Sequence, residues 1–390
     1  MPADKYAVGT TIRISTEADH SSGGPYDVVI RAGLVADSGD LIVAAVPSHR
    51  YAIITDDNVA PLHARAVAEG LAASGGTVDT LAFAAGESSK SRASWARLTD
   101  DLLELGHGRD SCIVVVGGGV AGDLGGFVAA TLMRGIPFVN VPTTLLAMLD
   151  SAVGGKTGVD TPAGKNLVGV FHQPALVLID PDVLMTLPEA AYRSSLAEAI
   201  KHGVIADTGY FGWIEANTEA IASRENEAVA RLVRRSVEIK AAVVAEDTRE
   251  AGARATLNFG HTIGHALERV TGFAMSHGHA VAIGMVLEAK LGEAMGITEA
   301  GTATRIEAVL ASFGLPTNLS GVDADAAAIL EATRSDKKAR GSAVRYALAS
   351  RIGAMARADD GNFTIAAADD AVLAAAERGR GAISQAGTEF

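Results

Sequence analysis

Val114-Val115-Val116-Gly117-Gly118-Gly119-Val120-Ala121-Gly122-Asp123 is the stretch that decides how this chain is read. A β-branched run breaks into glycines and passes into an Ala/Leu-rich segment, the pattern of a strand, a tight turn and a helix. Glycines there let the backbone approach a ligand, and a helix N-terminus offers free N–H groups to phosphate. The pattern is not a clean dinucleotide fingerprint, which wants Gly-x-Gly-x-x-Gly with an acidic residue about twenty positions on. Asp123 stands where a helix cap would, so a capped turn is the competing reading. A second cluster follows at Pro142-Thr143-Thr144-Leu145-Leu146-Ala147-Met148-Leu149-Asp150 and runs on into Gly154-Gly155-Lys156 and Gly164-Lys165-Asn166. Lysines placed after flexible backbone suggest a second anion beside the first.

Working outward, Tyr26-Asp27-Val28-Val29-Ile30 and Tyr51-Ala52-Ile53-Ile54-Thr55 read as strands, the second ending in Asp56-Asp57-Asn58. A helix is expected over 60–73 and a strand near 77–83. Gly86-Glu87-Ser88-Ser89-Lys90 then leads into a helix ending near Leu105, followed by strands at 113–116 and 137–141 and a helix over 127–133. This alternation predicts a parallel sheet with helices on its faces. Ligands of such sheets bind beyond the carboxyl ends of strands, where Asp56, Asn58, the 117–123 turn, Thr143 and Thr144 fall. Past Leu176-Val177-Leu178-Ile179-Asp180-Pro181 the text turns Ala-, Glu- and Leu-rich at helical spacing. Helices are expected at 189–206, 210–216, 225–246, 258–271, 278–295, 302–313, 323–335 and 369–378, with short strands only at 344–348 and 362–365. The expected division is an N-terminal extension over 1–25, an α/β domain over 26–180 and an α-helical domain over 181–390.

At 390 residues two domains are the prior, and a formal net charge of -13 argues against nucleic acid as a partner. Cys112 is the single cysteine, so no intramolecular disulfide can form, which fits a reducing cytoplasm. Residues 1–24 are polar and lack the apolar core of a signal peptide, and no apolar run reaches membrane-spanning length.

Two further groups carry chemistry. His261 and His265 are four apart and share one helix face, while His277 precedes another helix. Two imidazoles on facing helices plus one carboxylate from a third segment make an open zinc site. Glu198, in Leu196-Ala197-Glu198-Ala199-Ile200-Lys201, is the candidate donor; the bland alternative is a surface Glu198–Lys201 pair with scattered histidines. The cations Lys156, Lys165, Lys201, Lys240, Arg254, Lys337 and Lys338 stand in glycine-rich or apolar settings. A buried lysine such as Lys240 needs a partner, and a substrate carboxylate would serve.

Read jointly, these segments are similar to the 3-dehydroquinate synthase family, within the wider sugar-phosphate cyclases. The matching text is 117–123, Arg134-Gly135, Pro-Thr-Thr-Leu-Leu-Ala at 142–147, Val-Gly-Gly-Lys-Thr-Gly at 153–158 and Gly164-Lys165-Asn166. It continues with Leu-Ala-Glu-Ala-Ile-Lys at 196–201, Leu-Asn-Phe-Gly-His-Thr-Ile-Gly-His at 257–265, His277-Gly278 and Asp336-Lys337-Lys338, so that about 26–353 is covered. The resemblance implies an NAD-binding α/β domain with a parallel sheet, then a mainly α-helical metal- and substrate-binding domain. By position it implies zinc ligands at Glu198, His261 and His277, a set Co2+ would also suit. It implies NAD contacts at Asp56, Asn58, Gly86, Glu87, Lys90, Gly119, Val120, Ala121, Gly122, Asp123, Thr143, Thr144, Lys165, Val183, Leu184, Met185 and Thr186. The implied substrate pocket is Asp150, Lys156 (also assigned to the cofactor set), Asn166, Lys201, Lys240, Glu250, Arg254, Asn258, His265 and Lys338. Arg134 resembles an arginine supplied by a neighbouring subunit, which implies a homodimer.

The implied reaction converts 3-deoxy-D-arabino-heptulosonate 7-phosphate to 3-dehydroquinate and phosphate, a step of the shikimate pathway to chorismate and the aromatic amino acids. NAD is reduced transiently, phosphate is eliminated, the hydride returns, and the ring closes by an aldol step. Lys156, Asn166 and Lys338 would hold the phosphate, Lys240 and Arg254 the carboxylate, and His265 would relay a proton. Two departures stand out: His279 occupies a position where many relatives carry glutamate and is expected to face solvent, and Ser195 replaces a common glycine. The rival expectations are another cyclase such as aminodehydroquinate synthase, which also handles a carboxylate, and a metal-dependent polyol dehydrogenase resembling glycerol dehydrogenase. The latter acts on neutral alcohols and has no use for the lysines. A non-catalytic nucleotide- or zinc-binding protein would have a decayed pocket, whereas every position above holds a competent residue.

Overall fold

A computed structural model describes residues 9–15, 24–247, 252–335 and 344–378. The chain forms two compact units: Met1–Tyr192 with Arg224–Thr248, and Arg193–Ser223 with Arg249–Phe390. This differs from the single cut expected at 180. The division falls inside the helix Glu189–Ala206, and the helix Asn226–Glu246 joins the first unit. Leu232, Val233, Val237 and Val244 form its buried stripe, and it packs against the Ala147–Ser151 turn and the Pro181–Thr186 turn. Periodicity reveals that a helix has an apolar face but not which core that face joins.

The first unit is built on a seven-stranded sheet. Its order is Thr10–Ile14, Tyr26–Ile30, Leu176–Ile179, Phe138–Pro142, Ser111–Gly117, Arg50–Asp56 and Val78–Phe83. All neighbours are parallel except the first pair, whose antiparallel register runs from Thr10↔Ile30 to Ile14↔Tyr26. Thr10–Ile14 lies within the stretch expected to be an extension; five residues of Thr, Ile and Arg were too short a signal beside polar text. The central strand Ser111–Gly117 is buried at every position, which is why it reads as an unbroken β-branched run rather than an alternation. Ser91 caps the helix Arg92–Glu104 by accepting Ser94 N–H at 3.2 Å, and Leu98 and Leu102 then point one turn apart into the core.

After Ser111–Gly117 the helix Gly119–Thr131 begins eight residues earlier than the 127–133 expected from propensity. A Cβ on Gly125 would sit 2.6 Å from Val115, and one on Gly126 2.6 Å from Thr157. Close packing therefore requires the residues that weaken helix propensity, and tertiary contact overrides it. The antiparallel hairpin Lys156–Thr161 and Gly164–Phe171 stands outside the main sheet.

The second unit is mainly helical. The helices His261–Val270 and His277–Ala294 pack against each other, and Ile263, Leu267, Ile283, Leu287, Ile329 and Val372 belong to its core. Among the described residues its strands are two short pairs, Arg345–Tyr346 with Ile365–Ala366 and Ala349–Arg351 with Ala354–Met355. Among the described residues no helix is long and apolar enough to cross a membrane.

Candidate active site

In the first unit three adjacent parallel strands end together. Asp56 closes Arg50–Asp56, Gly117 closes Ser111–Gly117, and Thr143 follows Phe138–Pro142. The chain leaves Arg50–Asp56 toward Val78–Phe83 on one side and returns to Ser111–Gly117 on the other, so this is the switch point of the sheet. The helix after Gly117 has Gly118 at its N-cap with no side-chain hydrogen bond, leaving its first N–H groups open to an anion. That overturns the capped-turn reading of Asp123, which lies one turn into the helix. Thr143 Oγ1 is buried without a partner, and Asp56 Oδ1 accepts the N–H groups of Asn58 and Val59 at 3.0 Å each. An uncapped helix start beside an orphaned hydroxyl fits a dinucleotide phosphate.

Lys90, beside Asp123 of that helix, is buried. Its Nζ lies 3.1 Å from Glu87, 3.2 Å from Asp123 and 3.7 Å from Asp160, and Lys165 reaches Glu87 at 3.6 Å. Burial opposes the charge on Lys90, but the three carboxylates overcome it and raise its pKa. Burial pushes the Asp123 carboxyl up to about 6 against the pull of Lys90. Asp160 also accepts Asn166 N–H at 2.8 Å, holding Asn166 at φ +58, a backbone state asparagine tolerates. No motif in the sequence singles out Asp160. Gly86 precedes Glu87 at φ +114. Val183 and Leu184 are buried while Met185 and Thr186 are exposed, so the first two present only backbone to a ligand. His63 Nε2 and Thr186 Oγ1 are 2.8 Å apart; that hydroxyl donates to Val183 carbonyl, which leaves the imidazole as donor.

Lys240 is also buried in this unit, and its Nζ donates to Asp150 Oδ1 at 2.6 Å. Lys156 is exposed at the start of the hairpin. Arg134 is exposed in the Leu132–Arg134 turn.

In the second unit Glu198, Lys201, Arg254, Asn258, His261, His265 and His277 are described; Glu250, Lys337 and Lys338 lie outside the described residues. Glu198, His261 and His277 offer ligand atoms all within 4.8 Å of one another. Nε2 of His261 and Nε2 of His277 lie 3.3 and 3.5 Å from Glu198 Oε1. The other ring nitrogens face acceptors: His261 Nδ1 is 3.1 Å from Phe259 carbonyl, and His277 Nδ1 is 3.5 Å from Glu268. Backing of this kind fixes the tautomer that turns Nε2 toward a metal. Glu198 is fully buried, with Lys201 Nζ 2.6 Å away, yet neither oxygen has a well-aligned hydrogen-bond donor. Burial alone would raise its pKa, but Lys201 and the imidazoles hold it well below the usual carboxylate range. Burial likewise opposes charge on His277, while Glu198 and Glu268 push it up to about 10. Two imidazoles and an under-satisfied carboxylate fit a divalent ion with an open position. The surface-pair alternative for Glu198 and Lys201 fails, since both are 1% exposed.

His265 is exposed on the face it shares with His261, their rings 5.4 Å apart at 90°. Arg254 is 2% exposed. His279 is half-buried rather than solvent-facing, and it belongs to none of the clusters of metal-ligating atoms among the described residues. Ser195 is buried. Sequence reasoning missed Glu268 and Glu288; Glu268 stands seven residues after His261, the spacing of two helical turns.

The 3-dehydroquinate synthase N-terminal family model matches residues 80–194, and the C-terminal model of the same family matches 195–339. A 3-dehydroquinate synthase of Caulobacter vibrioides is 47% identical over 334 residues, covering 84% of this chain and 90% of that one. Among solved structures, a 2-epi-5-epi-valiolone synthase from Streptomyces hygroscopicus subsp. jinggangensis, with NAD+ and Zn2+ bound, aligns with a TM-score of 0.80 and 28% identity over 90% of this chain and 97% of that one. A 2-deoxy-scyllo-inosose synthase complexed with carbaglucose-6-phosphate, NAD+ and Co2+ aligns with a TM-score of 0.85 over 95% of this chain and 100% of that one; at 24% identity it speaks for the fold. Close identity along most of the length, with the Glu198–His261–His277 cluster and the open helix start each assembled in the fold, makes the chain a member of the 3-dehydroquinate synthase family.

Proposed function

We propose that the protein is a 3-dehydroquinate synthase, converting 3-deoxy-D-arabino-heptulosonate 7-phosphate to 3-dehydroquinate and phosphate with NAD and one divalent ion, Zn2+ or Co2+. The observation that carries this beyond a metal-dependent alcohol dehydrogenase is the burial of cations: Lys201, Lys240 and Arg254 are each at most 5% exposed. Glu198 and Asp150 stand beside two of them, and three cations kept in the interior favour an anionic substrate over a neutral polyol.

When bound, NAD supplies a transient hydride acceptor and the metal ion supplies Lewis acidity toward substrate hydroxyls. Glu198, His261 and His277 would hold the ion. The backbone of Gly119, Val120, Ala121 and Gly122, with Asp56, Asn58, Gly86, Glu87, Lys90, Asp123, Thr143, Thr144, Lys165 and the 183–186 segment, would hold NAD. Lys240 and Arg254 would take the substrate carboxylate and Lys156, Asn166 and Lys338 its phosphate; Asp150, Lys201, Glu250 and Asn258 are the further substrate contacts proposed. Anchoring a flexible substrate at both ends holds it in place through successive steps. The exposed imidazole of His265 moves the hydroxyl proton between substrate and solvent.

We also propose a homodimer in which Arg134 serves the neighbouring copy, and a cytoplasmic setting. Support for the first comes from the turn itself: Met133, Arg134 and Gly135 have φ of 51°, 69° and 111°, and the arginine is exposed. Non-glycine residues in the left-handed region cost energy, of order 1–3 kcal/mol each, and cluster where function demands the shape.

The test is phosphate release from the heptulosonate phosphate by purified protein with NAD and Zn2+. Phosphate should appear without net NADH. NADH accumulating on glycerol with no phosphate release would sink the reading.

A further inference from the structure

The helix His261–Val270 begins on a proposed metal ligand but has no cap of its own. Gly260 holds the N-cap position at φ +79 with no side chain to offer. A capping side chain there is excluded by space, since a Cβ on Gly260 would lie 2.5 Å from Met285 Cγ. The cap comes instead from the neighbouring helix His277–Ala294. Its Glu288, 0% exposed, accepts Gly260 N–H at 2.7 Å through Oε2 and Ile263 N–H at 3.0 Å through Oε1. One carboxylate thus uses both oxygens on N–H groups that bracket His261 in the chain. Such bonds are charge-assisted, roughly twice as strong as neutral ones, and the helix dipole favours an anion at this end. The helix that carries Glu288 opens on His277, the other imidazole of the triad. The same two bonds therefore tie the start of one ligand-bearing helix to the body of the other.

We propose that Glu288 is a positioning residue for the metal centre, fixing the first turn of His261–Val270 so that Nε2 of His261 meets Nε2 of His277 at Glu198. The proposal rests on the metal reading above. Glu288 acts through the backbone on either side of His261.

The experiment titrates metal-free full-length protein with Co2+ and Zn2+, comparing wild type, Glu288→Gln and Glu288→Ala, with His261→Ala as the ligand control. Metal affinity, the visible Co2+ spectrum and the thermal midpoint of the apoprotein are read separately. Glu288→Ala should weaken metal binding about tenfold or more, within the range of outer-shell partners, and change the Co2+ spectrum. Glu288→Gln keeps the volume and one acceptor but turns an NH2 toward a backbone N–H, so it should fall between; it also serves if the alanine variant does not fold. Folded variants that bind within twofold of wild type with an unchanged Co2+ spectrum, whatever their thermal midpoint, overturn the proposal. Wild type that binds no metal, or His261→Ala with undiminished binding, overturns the metal reading and the proposal together.

Discussion

Asp123, a proposed NAD contact, bears a stability cost of its own. Its carboxyl is pushed up to about 6 from an ordinary 3.8, chiefly by burial, with Lys90 pulling the other way. A raised folded pKa means that the group favours the fold below the unfolded value and loses that contribution as pH rises through the folded one. The interval corresponds to about 3 kcal/mol at neutral pH. That is an upper limit, because the side chain keeps 21% exposure and Lys90 would lose one of its three carboxylates. In the NAD-free protein, Asp123→Asn should therefore resist urea more than wild type at pH 7.5. The gain should shrink between pH 6 and pH 4 and vanish below, while NAD binding weakens. A gap independent of pH would show that burial of the charge is not the cause. The residue scale is also where the sequence was most uneven. That Glu198, His261 and His277 come together was legible because the two imidazoles open helices and the acid sits in an apolar helix. Asp160, Glu268 and Glu288 were not, because a buried acid that orients backbone or imidazole is spelled like one on a solvated surface.

Between residue and fold stands the crossing of His261–Val270 with His277–Ala294. A Cβ added to Gly284 would lie 1.9 Å from Gly260 carbonyl oxygen, a backbone atom that cannot swing away. Gly284→Ala must push the helices apart at the point where Glu288 joins them. Overpacking of this kind typically costs about 1–3 kcal/mol. The expected result is a lower thermal midpoint together with weaker Co2+ binding; a drop in midpoint with unchanged metal affinity would separate the crossing from the ligand geometry. Elements were legible where a period was clean. The strand Ser111–Gly117 and the helix Arg92–Glu104 announce themselves, whereas the hairpin Lys156–Thr161 and Gly164–Phe171 does not. Gly158 pairs with Gly169 in that hairpin, so the strands meet through backbone at that point, and burial along Lys156–Thr161 does not alternate.

On the scale of the whole molecule, the chain order of the proposed metal and nucleotide residues says little about the units that hold them. The first unit takes back Arg224–Thr248 and with it Lys240, which a single cut at 180 would have assigned to the helical domain. No local pattern encodes that return; only the packing of the Asn226–Glu246 stripe decides it. Arg134 extends the question to a second chain. If it serves its neighbour, Arg134→Ala and His265→Ala are defects in different copies of the site. Each homodimer should then be inactive, but a heterodimer purified through two tags should regain activity. In it the Arg134→Ala subunit keeps its own His265 and receives an intact Arg134 from its partner, while the other site carries both lesions. One native site in two gives about half of wild-type phosphate release per dimer, as expected for two-fold symmetry. If Arg134 acts within its own subunit, each site of the heterodimer carries one lesion and no activity returns, so the assay decides between the two arrangements without a structure of the dimer.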